Sequence, residues 1–75
     1  MTMATMLEQG RTAYGRQKWA DAYSSLSAAD REEPLQPEDL ERLATSAYLV
    51  GKDAEGLDLL VRLHNEYLKA GQTRP

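Results

Sequence analysis

Apolar residues recur along this chain at spacings of three and four, and no stretch alternates in twos, so the pattern predicts helices throughout. Leu7, Ala13 and Tyr14, with the methionines before them, make a first stripe, and Thr5 is placed to cap it. The first helix is expected from Thr5 to Arg16. Trp19, Ala22, Tyr23, Leu26 and Ala29 mark a second from Lys18 to Glu32, which Pro34 stops by lacking an amide hydrogen and by disfavouring helical geometry in the residue before it. Pro37 suits a first helical position, and Glu38 and Asp39 put negative charge on the positive end of the helix dipole. Leu35 and Leu40 have the spacing of a hydrophobic staple across that start. The third helix then runs from Pro37 to Val50 through Leu40, Leu43, Ala44, Ala47 and Tyr48, with Gly51 as its stop. Asp53 is expected to cap a fourth helix whose main stripe is Leu57, Leu60, Val61, His64, Tyr67 and Leu68, and Gly71 is expected to close it.

The four segments fall into two similar halves. A shift of 34 residues lays Gly10 on Ala44, Ala13 on Ala47, Tyr14 on Tyr48, Ala22 on Gly56, Tyr23 on Leu57 and Leu26 on Leu60. Small residues fall on small and large on large. Close helix crossing explains such pairs: Gly10 or Ala44 on one helix is expected to leave room for Ala22 or Gly56 on the next. The expected fold is therefore all-α, with four helices as two antiparallel helix-turn-helix hairpins in a single domain, 1–75. The repeats are 3–34 and 35–71. An ordinary antiparallel four-helix bundle with coincidental small-residue matches is the competing architecture.

The period, the small residues at the crossing points and Pro34 at the end of the first unit resemble the tetratricopeptide repeat (TPR) family. The likeness extends from about Met3 to Gly71, with two departures: Gln9 stands where the family usually has leucine, and the second unit lacks its closing proline. Two runs, Trp19-Ala20-Asp21-Ala22-Tyr23 and Pro37-Glu38-Asp39-Leu40-Glu41-Arg42-Leu43-Ala44, are similar to the TPR segment near the start of some bacterial LuxR-type transcriptional regulators. The DNA-binding part of those regulators has no counterpart here. The resemblance implies a module that holds a protein or peptide partner along the concave face of the first helix of each hairpin. That face would present Leu7, Arg11 and Tyr14 from one repeat and Glu41, Thr45 and Tyr48 from the other. Tyr14 and Tyr48 also suit plain core packing, with their hydroxyls at the edge, which leaves Arg11 and Glu41 as the stronger specificity candidates.

Composition narrows the chemistry. The formal charge is −3, with acids and bases interspersed, and no cluster of Lys and Arg forms the stripe that phosphates require, so no nucleic-acid contact is expected. No apolar run approaches a membrane span, and the start does not read as a secretory signal, so the expected location is cytoplasmic. With no cysteine and one histidine, neither a thiolate metal site nor a nucleophile and base can be assembled; no enzyme activity, cofactor or metal is expected. His64 is expected to be a satisfied structural histidine and Trp19 a packing residue.

Two repeats leave a core unfinished, because each repeat buries its face on the next. Leu59 and Leu63 fall off the main stripe of the fourth helix, and the face they are expected to form is covered either by further repeats of a longer protein, of which this would be a regulatory or scaffold segment, or by a second copy in a homodimer, as the self-association element of a transcriptional regulator.

Overall fold

The computed structural model describes residues 3–71, with side chains from 4 to 69. They form four helices, α1 (Met3–Gly15), α2 (Trp19–Glu32), α3 (Pro37–Leu49) and α4 (Asp53–Gly71), with no strand among the described residues. Two helix starts differ from the expectation. Residue 3 is already helical, so Thr5 lies within α1. Asp53 is the first helical residue of α4, because the Lys52 carbonyl accepts the first helical bond, from the Gly56 N–H at 2.9 Å.

The two tight turns repeat one another bond for bond. After α3, the Lys52 N–H donates to the Ala47 carbonyl at 2.8 Å and the Gly51 N–H to the Tyr48 carbonyl at 3.0 Å, with Gly51 at φ +86°. This is the six-to-one and five-to-two pattern that closes a helix with a left-handed residue. After α1, the Lys18 N–H donates to the Ala13 carbonyl at 2.9 Å and the Gln17 N–H to the Tyr14 carbonyl at 3.0 Å. Each partner lies 34 residues before its counterpart, but the left-handed position, φ 61°, is held by Gln17. The longer break between α2 and α3 has a different cause. Glu33 goes extended ahead of Pro34, then Leu35 and Leu40, both buried, clasp the start of α3 as the staple spacing requires.

α1 packs on α2 and α3 on α4, and α3 seals the stack by lying against α2 and touching α1. Between described residues, α1 and α4 do not approach within 8 Å at any Cα pair, so the helices form an open stack of two hairpins and not a closed bundle. The core accordingly centres on α3: Leu40, Leu43, Ala44 and Ala47 meet Leu26 and Ala29 of α2, and Leu59 and Leu63 of α4. Met6, Leu7 and Tyr23 pack around it.

The glycines permit the close crossings, though with other partners than the matched small residues suggest. A Cβ on Gly10 would lie 2.6 Å from Leu26 Cγ and 2.7 Å from its Cδ2, while a Cβ on Gly56 would lie 3.0 to 3.2 Å from the ring of Tyr48. Glycine thus faces a large side chain in both hairpins.

α4 lies the other way round from the stripe expectation. Leu59 and Leu63 are 6% and 7% exposed and belong to the core, whereas Leu57, Leu60, Val61, His64, Tyr67 and Leu68 are all exposed. Leu59 and Leu63 are therefore not an uncovered self-association face. The reason is geometric: the close backbone packing of α4 is on α3, and the small Gly56 marks the face that carries Leu59 and Leu63 one and two turns on.

Candidate binding groove

α1 and α3 frame a groove lined by Tyr14, Glu38, Glu41 and Arg42. Tyr14 is held at its edge by Trp19, whose ring meets it edge-on with centroids 5.3 Å apart and planes at 74°. Trp19 takes up that position because the turn after α1 is so tight that α2 begins beside the last turn of α1. Glu38 and Glu41 are exposed, three residues apart on α3, and so share one face.

Beneath this rim sits Asp39, a carboxylate only 2% exposed. Arg11 grips it with two bonds, Nε to Oδ1 at 2.9 Å and Nη2 to Oδ2 at 2.5 Å. Arg42, one turn on, adds Nη1 to Oδ1 at 3.0 Å. A buried carboxylate is stable only when paired and hydrogen-bonded, and two guanidinium groups supply that here. The Arg11 hydrogen bonds hold the Asp39 carboxyl below its ordinary range; burial opposes them, and the charges of Arg11 and Arg42 add to the lowering. Arg11 is raised in turn, first by the same hydrogen bond. This set joins α1 to α3 and fixes the width of the groove.

Of the six residues assigned to partner contact, Tyr14 and Glu41 converge on the groove. Arg11, expected to read a partner, is engaged with Asp39 within the protein. Leu7 packs against the core, Thr45 is half-buried, and Tyr48 lies over Gly56 at the α4 side of α3. The sequence pattern does not single out Glu38 and Arg42 as partner contacts, and it gives Asp39 only as a favourable charge at a helix start. The signal for Asp39 was an acid at the third position of α3 with an arginine three residues later.

A second set of polar contacts ties α2 to α4. Arg62 donates to Asp30 at 2.9 and 3.0 Å, the Leu35 N–H also donates to Asp30, at 3.2 Å, and the Tyr23 hydroxyl donates to the Glu55 carboxylate. Lys52 lies 5.5 Å from the centre of the Tyr23 ring. The Arg62 bonds hold the Asp30 carboxyl low against its partial burial, and the acceptor at Glu55 raises Tyr23. His64 stands exposed on the outer face of α4 and is not the satisfied structural histidine expected. Among the described residues no cluster of three or more His, Cys, Asp or Glu could hold a metal ion, and no helix is long and apolar enough to cross a membrane. No protein-family model, no curated protein and no solved structure matches the chain.

Proposed function

We propose that this chain is a non-catalytic protein-interaction module of the tetratricopeptide kind, whose α1–α3 groove takes an extended peptide bearing a cationic side chain. The observation that carries this reading is the 34-residue repetition of the turn hydrogen bonds, Ala13 and Tyr14 recurring as Ala47 and Tyr48, which sets α1 and α3 side by side as a matched pair. The charge of the groove supports the choice of partner. Asp39 already draws on Arg11 and Arg42, while Glu38 and Glu41 remain exposed at the rim beside the face of Tyr14. A lysine or arginine there would meet two carboxylates and an aromatic ring. In keeping with the resemblance to the LuxR-type regulators, we place the module in the cytoplasm as a regulatory or scaffold segment.

Trp19 supplies a direct reporter, since it is the single tryptophan and touches Tyr14 of the groove. Titrating the protein with an oligolysine peptide should change Trp19 emission with a saturating curve, while an oligoglutamate peptide of equal length should not. Glu41→Lys should weaken the oligolysine response roughly tenfold, the size of one lost exposed charge pair with its sign reversed. Equal responses to the two peptides, or a Glu41→Lys variant that binds oligolysine unchanged, would refute the groove.

A further inference from the structure

The surface of the first hairpin that receives the second is built from Tyr23, Leu26, Ser27 and Asp30 of α2. Tyr23 bonds Glu55, Asp30 bonds Arg62, Leu26 belongs to the core around α3, and Ser27 lines the cleft against Leu59 and Arg62. Moving 34 residues along gives Leu57, Leu60, Val61 and His64, the same positions on α4. There the surface is uncovered: Leu57 is 57% exposed, Leu60 38% and Val61 55%, with Tyr67 and Leu68 extending the patch at 50% and 53%. Among the described residues nothing occupies this repeated surface. It is also drier, because tyrosine, serine and aspartate have become leucine, valine and histidine.

The opposite end of the stack has the reverse character. The outer groove of α1 and α2 is lined by polar residues including Glu8, Gln9, Thr12, Arg16 and Asp21. Gln9 stands 34 residues before Leu43, so a glutamine faces this groove where the second hairpin buries a leucine. A second copy therefore cannot continue the stack head to tail without burying these polar groups on leucines. Among the described residues, the large exposed apolar side chains are those of α4 with Tyr48 and Leu49 of α3. The surface that matches the α4 patch is another α4 patch.

We infer that two copies of this chain associate through α4, packed antiparallel in a symmetric dimer. Leu57, Val61, His64 and Leu68 are spaced four, three and four apart, the spacing of a helix-pairing seam. Antiparallel packing sets Leu57 of one copy beside Leu68 of the other and Val61 beside His64. It also brings the acidic first turn of each α4, with Asp53 and Glu55, to the basic last turn, with Lys69. Parallel packing would set acid on acid. On the first hairpin the corresponding residues Tyr23 and Asp30 are met by Glu55 and Arg62 of α4, and in the dimer the second copy's α4 covers the same positions on the second hairpin. The dimer does not depend on the α1–α3 groove, which lies between other helices.

Sedimentation equilibrium of the full chain over micromolar concentrations should give a dimer. Val61→Glu, at a position already more than half exposed in the monomer, should keep the helical circular dichroism signal and raise the dissociation constant roughly a hundredfold or more, as burying an unpaired charge requires. The chain has no cysteine, so mixing Leu57→Cys with Leu68→Cys chains tests orientation cleanly. Oxidation should join one variant to the other. A wild-type chain that stays monomeric would overturn the dimer and leave the face to a helix of another protein. A dimer untouched by Val61→Glu would move the interface off α4, and bonds formed only within each variant would overturn the antiparallel arrangement.

Discussion

Gln17→Gly should stabilise this protein, an uncommon direction for a single change. Gln17 closes the turn after α1 at φ 61°, with its N–H bonded to Tyr14. A side chain with a Cβ costs about 1 to 2 kcal/mol in that left-handed region. Glycine removes the strain but adds freedom to the unfolded chain, worth about 0.5 to 1 kcal/mol against folding. The net expectation is a gain of about 0.5 to 1 kcal/mol, and for a domain of this size a rise in Tm of roughly 2 to 8 °C. Thermal unfolding followed by circular dichroism reads it directly. The control is its repeat counterpart, Gly51→Ala, where φ is +86° and an added Cβ would touch nothing within 4 Å, so the loss of about 1 kcal/mol is backbone strain alone. A Gln17→Gly variant that melts below the wild type while Gly51→Ala also melts lower would show that the two turns are not equivalent.

Four further expectations concern packing and charge. Asp39 and Asp30 both have lowered folded-state pKa values, so the stability they contribute is full above the unfolded carboxylate value of about 3.9 and is lost as pH falls through the folded value; Asp39→Asn should flatten the acid limb of a Tm-against-pH curve. Asp39→Ala should cost about 1 to 3 kcal/mol at neutral pH by denaturant titration, toward the lower end because Arg11 is half exposed and regains water. Gly10→Ala should destabilise despite a helix-propensity gain of about 1 kcal/mol, because Leu26 is fully buried and cannot withdraw, whereas Gly56→Ala should come out near neutral against the more exposed Tyr48. Ser46 is fully buried and its Oγ has no hydrogen-bond partner among the described residues, so Ser46→Ala should raise stability by about 1 kcal/mol, and a drop would mean that the hydroxyl is satisfied.

Helix number, the break at Pro34 and the staple of Leu35 and Leu40 were legible in the sequence, because local backbone chemistry fixes them. The buried face of α4 was not. Counting apolar residues favours the stripe from Leu57 to Leu68, since it is longer than the pair Leu59 and Leu63. The choice depends on which neighbours α4 has, a property of the stack and not of the helix. α2 packs closely against two helices, α1 and α3, while α4 packs closely against α3 and meets α2 only through side chains. Gly56 was the available clue, since a small residue marks where another helix comes close. The groove was half legible for a similar reason. Tyr14 and Glu41 follow from the repeat, but the role of Arg11 depends on Asp39, 28 residues away, and periodicity carries no information about which charges meet.

The order of the helices in the stack is also their order in the chain, α1 on α2, α2 on α3, α3 on α4, and the cross-hairpin bonds of Tyr23 and Arg62 reach 32 residues along the sequence. A topology with so little looping between partners belongs to the fast class of folders, with barriers crossed in microseconds to milliseconds. The local helical hairpins are expected to close before the charged bonds between them form, which φ-values at Tyr23 and Arg62 would check. Added salt should therefore steepen the escape from the native state while leaving the rate of its formation almost untouched.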